Sequence, residues 1–517
     1  MPENYSYSQE RLYRTPPPKG TPPAAPTAGK TEATVRTPSL ANQSMAAAWA
    51  DIDNILGGTA AMRAAADTYI AQEPQEGTDA YNRRLNRATL APIYKWLVRA
   101  FVAMILRKPI QVKNTGGLTE PDFRAIIGYH PGEDDAGQAV VGHLEDIDEE
   151  GSDLQQFAFE WLCTAIHYGH AAVEVIYPSA EGIETRADEV TAGLRPHWSV
   201  YNGPAILGDR RSGKALSRIR LLQTRTEPDG DWGEQLVEQV MVYRQDGEQV
   251  EWHTYRQIDD EWTVSEEGAL AMAEATVPVV YLHSDRKGRV APPPMLEVAY
   301  LNIRHFQVSA DIDHNCHIAA VPRFFLFGTT PDELGDIGAS DEAVCIPNPE
   351  ARAEWNSAKI DAFEPNNQRL EQLEVQMMRL GVGAMATQKN VGESAAAKRL
   401  DRTQGDSQLA ILAQNLQAGL NQCLRLHCSY MGVAPENAPT VEVSRDFDLT
   451  QMDAAMIQAL TGVANAGKLS TETFLHLLQK GELGLPEQWT PEAEQERIEA
   501  EFQKQTAMIQ QANGVLE

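Results

Sequence analysis

Cysteine, long apolar runs and positive charge are all in short supply. The 517 residues hold five cysteines, Cys163, Cys316, Cys345, Cys423 and Cys428. A sparse and odd set does not make a disulfide framework, and it suits a reducing compartment. The most apolar helix candidate, Pro92–Leu106, is interrupted by Lys95 and Arg99, and its clean run of Ala100–Leu106 is too short to span a bilayer. The N-terminus is rich in proline and threonine and lacks the apolar core of a secretory signal. No G-x-S-x-G nucleophile elbow is present. Lysine and arginine number 44 against 73 acidic residues, a net charge of −29. A protein that grips duplex nucleic acid usually carries the opposite balance.

What is present is a soluble, α+β, mainly α pattern. Residues 1–43 carry Pro16, Pro17, Pro18, Pro22, Pro23, Pro26 and Pro38 among mildly basic positions, and read as a tail without a core of its own. Helices are predicted over Ser44–Ile55, Thr59–Ile70, Tyr81–Leu90, Pro92–Leu106 and Leu154–Tyr168. A strand is predicted at Ala171–Tyr177. From Trp198 to Tyr281 the period drops to two, with strands at Ile219–Thr226, Gln235–Arg244, Val250–Arg256, Trp262–Ser265 and Val277–Tyr281. We expect one antiparallel meander there.

The most informative segment is Pro293–Gly328. Leu296, Ala299, Ile303, Phe306 and Ala310 form an apolar stripe on a helix running to Ala320, on the order of 40 Å long. Phe324–Phe327 and Ala343–Ile346 read as short strands. A second helix carries Leu370, Leu373, Met377 and Leu380 on one face, and a third spans Ser394–Tyr430. No nearby segment offers an obvious cover for the first two stripes. A single subunit is expected to leave them partly open.

Three constellations resemble chemical sites. Asp311, Asp313, His314, Cys316 and His317 have helical spacings that suit metal ligation, yet no second motif completes a set of three or four ligands. An i,i+4 pair at a polar helix end accounts for them more simply. Cys423, His427 and Cys428 continue the apolar stripe of the third helix, where cysteine behaves as a small hydrophobe. Gly462–Leu469 nearly matches a phosphate loop, but Leu469 stands where Ser or Thr should hold Mg²⁺. No cofactor is implied.

A family resemblance rests on particular residues: Tyr69, Ile70, Gln72 and Glu73; Tyr81, Arg84 and Leu85; Arg107, Lys108 and Pro109; and Val277–Val280. Its core is Pro293–Leu296, Leu301–Ile303, His305, Ser309–Asp311, His314 and Ala320–Pro322, followed by Gly392–Ala395. These residues, and the order of elements, resemble tailed-bacteriophage portal proteins, in a branch known only as a domain of unknown function. The resemblance covers about residues 45–500.

It implies a wing over 44–292, a first stem helix over 293–320, a clip over 321–365 and a second stem helix over 366–380. A tunnel loop over 381–393, a long wing helix and strand over 394–445, and a helical crown over 446–517 would follow. Leu296, Ala299, Ile303, Phe306, Ala310, Leu370, Leu373 and Met377 would pack the oligomer stem. Gly383 would let the tunnel loop move, Gln388, Lys389 and Asn390 would touch DNA, and Arg323 and Arg352 would make clip contacts. The implied assembly is a ring, probably of twelve subunits, at the capsid vertex of a virion, built in the host cytoplasm. Double-stranded DNA would pass without sequence specificity. Terminase large subunit, head-completion or tail adaptor proteins, and major capsid or scaffolding protein would be partners. No membrane and no enzymatic activity are implied. Twelve such chains would carry roughly −350 charges, compatible with a lumen that repels DNA and keeps it sliding. Two other readings stay open: another head-assembly protein, or a metallohydrolase using the Asp311–His317 cluster.

Overall fold

The computed structural model describes residues 33–130, 139–178, 194–213, 215–272, 275–284, 290–320, 323–328, 343–346, 352–356, 364–382 and 395–445, and six residues between 458 and 498. Of residues 314, 315, 317–320, 323–327, 343–346, 352–356, 364–366, 382 and 395–407, only the backbone is described. Residues 1–445 and 446–517 form two compact units, and the fold below is that of the first. The phosphate-loop-like Gly462–Leu469 and most of the expected crown lie outside the described residues.

Five helices open the unit: α1 (Leu40–Leu56), α2 (Gly58–Ala64), α3 (Ala66–Tyr69), α4 (Thr78–Arg87) and α5 (Ile93–Ile105). Ser39 caps α1 by accepting a hydrogen bond from the Asn42 N–H. The single helix expected over Thr59–Ile70 is two, broken at Ala65. A short strand β1 (Gln111–Lys113) and helix α6 (Glu120–Ile127) lead to α7 (Leu154–Tyr168). Asp153 and Gln156 close a capping box at its start. Helix α7 buries Phe157, Trp161, Leu162 and Ile166, and its apolar content wraps most of its girth.

The β region differs from the expected single meander. Strand β2 (His170–Ile176) is the centre of a three-stranded antiparallel sheet, flanked by β3 (His197–Asn202) and β9 (Val279–His283). Between them in sequence lies the true meander, β4 (Ile206–Ser212), β5 (Ala215–Asp229), β6 (Gly233–Asp246), β7 (Gln249–Ile258) and β8 (Glu261–Ala269), in consecutive order. The chain therefore returns at Val279 to pair with β2, not with its sequence neighbour β8. Burial decides this. Val279, Val280 and Leu282 are almost wholly enclosed, and β2 is buried on both faces, so these strands complete each other's core.

The two sheets share a core. Ile219, Leu221, Tyr243 and Val250 of the meander pack with Ala172, Tyr201 and Val279. Through this core passes one carboxyl group, Glu174, fully buried, with the hydroxyls of Tyr201 (2.6 Å) and Tyr243 (2.5 Å) donating to it. On the opposite face of the meander, Leu207, Val240 and Val242 pack with Val35, Tyr255 and Trp262.

Helix α8 (Leu296–Ala320), a small sheet of β11 (Ala343–Ile346), β10 (Arg323–Phe327) and β12 (Arg352–Asn356), then helices α9 (Glu364–Val382) and α10 (Ala395–Tyr430) complete the sequence of elements before β13 (Thr440–Glu442). Strand β13 pairs antiparallel with β1, closing the unit.

Near the end of α10, the wholly buried His427 brings its Nε2 to 2.9 Å from Nδ1 of His143. Trp198 meets the His427 ring edge-on, and Arg195 and His197 stand close by. Burial, and then the charge of Arg195, push His143 down to about 4, and burial with the same neighbours holds His427 well below its ordinary value. Unfolded histidine takes up its proton near 6.5. Both pKa values are depressed in the folded chain, so the stabilisation is complete above pH 6.5 and is lost as pH falls toward 4. We expect the unfolding temperature to drop over this range, by a loss on the order of 2 kcal/mol for each histidine at pH 5. In His143→Gln the slope should flatten. A wild-type melting curve indifferent to pH between 7 and 4.5 would remove the pair from the stability argument.

Candidate functional site: the α8–α9 hairpin

The hairpin's stripe has its cover inside the subunit. Ala299, Ile303, Phe306 and Ala310 of α8 and Leu373 and Met377 of α9 are buried, while Leu296 and Leu370 are half-buried. Helix α8 packs against α9, α5, α4 and α1, and α9 against α5 as well. The expectation that a single subunit leaves these stripes partly open holds only at Leu296, Leu370 and Leu380. Besides α9, the covering elements come from residues 40–105, some two hundred positions away. Sequence proximity said nothing of them.

Polar contacts key the helices together. Asn302, fully buried, accepts from the Tyr94 N–H at 3.0 Å and donates to the Ala91 carbonyl at 2.9 Å. It thereby satisfies backbone groups at the start of α5 that lack intrahelical partners. Gln307 donates to the Tyr69 carbonyl at 2.7 Å. His305 lies across the hairpin from Glu374, at 3.3 Å. Gly381 lets α9 approach α5, since a Cβ there would stand 2.8 Å from Leu97.

The lower part of α8 is held by an ion cluster. Arg84 of α4 donates to Glu76 through Nε (2.9 Å) and Nη2 (2.7 Å), to the Ala71 carbonyl (2.8 Å) and to Asp311 (3.0 Å). The Arg84 and Glu76 side chains are 6% and 9% exposed, so the pair is desolvated. Tyr81 supports the same turn by donating to the Ile70 carbonyl. Asp311 was a leading metal-ligand candidate; its carboxylate is instead occupied by a guanidinium. Asp313 and Cys316 are exposed, and the side chains of His314 and His317 lie outside the description. Among the described residues no cluster of three or more His, Cys, Asp or Glu is placed to hold a metal. Cys423 and Cys428 are fully buried, and burial pushes the Cys428 thiol up to about 12. Their neighbour His427 is engaged by His143.

The remaining candidates fare as follows. Gly383, Gln388, Lys389 and Asn390 lie outside the described residues. Arg323 opens β10 and pairs in register with Asn356, while Arg352 opens β12 and pairs with Phe327. The two arginines thus sit at opposite ends of the β10–β12 ladder. What remains open on the hairpin is Tyr300, Val375 and the last member of the second stripe, Leu380, at 40%, 47% and 55% exposed. No described helix is long and apolar enough to cross a membrane.

Three comparisons bear on this arrangement. No curated protein matches the chain. Among solved structures it is similar to a chain described as the neck of an empty GTA particle computed with C6 symmetry, at 13% identity, covering 82% of this chain and 98% of that one, with a TM-score of 0.38. A family described as a domain of unknown function (DUF4055) matches residues 294–431, a stretch that begins just before α8 and ends just after α10.

Proposed function

We propose that this chain is the portal subunit of a tailed phage or phage-like particle. It would be a structural protein that forms a ring around a channel for double-stranded DNA. The reading is carried by one arrangement. A long helix, a small three-stranded insert, a second helix and a 36-residue third helix follow one another over a β-rich body. The insert is reached only through the hairpin, as a clip would be through a stem. Residues behind the portal resemblance make contacts of that hairpin: Asn302, His305 and Asp311, the last with Arg84. In this reading terminase and head-completion proteins meet the insert, and capsid or scaffolding protein meets the wing.

The internal packing relocates the ring contact. Because the inner stripe is already covered, neighbouring subunits would meet on the outer faces, at Tyr300, Val375 and Leu380. Negative-stain images of the purified chain should show rings with a central hole. Leu380→Asp, combined with Val375→Asp, should leave a folded subunit that no longer forms rings. A charge at Phe306 would instead unfold the subunit, since that ring is wholly buried. A wild-type protein that stays a monomer at high concentration overturns the proposal.

A further inference from the structure

We propose that the cavity between residues 33–43 and the β4–β5 pair is a binding site for a phosphate group. It has a volume of about 540 Å³ and is lined by Arg210, Arg218 and Arg220 on the sheet side, with Thr34, Thr37 and Gln43 facing them. This site is independent of the ring reading.

The register creates the charge. Arg210 of β4 stands directly opposite Arg218 of β5, and Arg218 directly opposite Arg244 of β6. Like charges paired across strands are destabilising. Here three sit in one row, in a chain whose net charge is −29. Among the described residues, no carboxylate forms an ion pair with Arg210, Arg218 or Arg244. The row ends at Glu251, opposite Arg244 on β7. The one carboxylate in the cavity wall, Asp209, is occupied by Arg211 at 3.2 Å.

Arg220 is fixed as part of the wall. Its Nη1 donates to the Val35 carbonyl at 2.7 Å and its Nη2 to the Leu207 carbonyl at 3.4 Å. Gly208 permits this, because a Cβ there would stand 3.1 Å from Nη2. Burial, and then the charges of Arg218 and Arg210, hold the Arg220 guanidinium below its ordinary value, so the three cations sense one another. The guanidinium groups of Arg210 and Arg218, with Arg220 fixed beside them and threonine hydroxyls on the facing wall, match the oxygens of a doubly charged phosphate better than a single carboxylate. The group would be a free phosphate or one borne on a nucleic-acid backbone.

The test uses the full chain at constant ionic strength, with inorganic phosphate exchanged for chloride, and separately with a labelled 20-base-pair duplex. Phosphate should raise the unfolding temperature, by about 2 °C at roughly ten times its Kd and further with the logarithm of concentration. In Arg218→Gln that response should vanish, while the phosphate-free protein melts no lower than wild type, since a like charge has been removed. Arg210→Gln should behave alike. If only the duplex binds, and each substitution lowers the slope of log affinity against log salt by about one, the phosphate belongs to a nucleic-acid backbone. If both variants respond to phosphate and duplex as the wild type does, the proposal fails.

Discussion

Arg84→Met should cost about 3–5 kcal/mol of stability, among the largest effects of any single substitution in the chain. The guanidinium is almost completely enclosed and meets two carboxylates and one carbonyl. Its removal takes the buried counter-charge from Glu76, itself 9% exposed, which keeps the Glu73 N–H as a donor. Most of the cost is the desolvated carboxylate without its cation and not the lost attraction. The contribution of Asp311 should be small by comparison, because its side chain is 58% exposed and its pairing is screened. A double-mutant cycle separates the two. Glu76→Gln in the Arg84→Met background should recover a large part of the loss, whereas Asp311→Asn should recover little. Urea denaturation reads both. Should Arg84→Met shift the midpoint no more than an ordinary surface substitution, the cluster does not hold α4 to α8.

Glu174→Ala should cost about 4 kcal/mol, from a cavity and two tyrosine hydroxyls that lose their acceptor. The carboxyl is fully buried, and its acceptors are shared with a chain of amides: Gln223 donates to the Tyr201 hydroxyl at 2.7 Å, and Gln239 donates to Gln223 at 2.7 Å. Burial pushes Glu174 above its ordinary value of 4.5, against the lowering effect of the two hydroxyls. A carboxyl raised in the fold is easier to protonate there than in the unfolded chain. Stability relative to Glu174→Gln should therefore rise as pH falls through the folded pKa, and level off below 4.5. The Gln variant keeps the shape and one acceptor oxygen, so it should be far milder than Ala. Equal losses in the two variants, read by urea midpoints across pH 4 to 8, would mean that the polar network contributes nothing beyond volume.

Much of the local structure was legible in the residues. The third long helix, read over Ser394–Tyr430, is Ala395–Tyr430, and the helix at Leu154–Tyr168 is found with the same bounds. Long periodic runs with clear caps settle their own conformation. Strand β4 was missed because ILGDRRS carries no alternation of apolar and polar residues, and β12 was missed although RAEWN alternates, because five residues are too short a run to stand out. Partnership was the harder part. Val277–Tyr281 read correctly as extended, but nothing local says that β9 skips the six strands before it in sequence to pair with β2. The stripe on α8 was visible; its cover on α4 and α5 was not. Asp311 resembled a ligand because its partner, Arg84, lies 227 positions away.

One closure sets the order in which the unit can be built. Strand β1 at Gln111–Lys113 has its mate at Thr440–Glu442, tied further by Lys113 to Glu442 and Thr115 to Thr440. During synthesis, at roughly 5–20 residues per second, the first strand waits on the order of half a minute for the second to emerge. Its unpaired edge is exposed to other chains for all that time. A three-residue length, ending in a lysine, is a poor template for such pairing. The brevity of this seam protects the nascent chain as much as it joins the finished one.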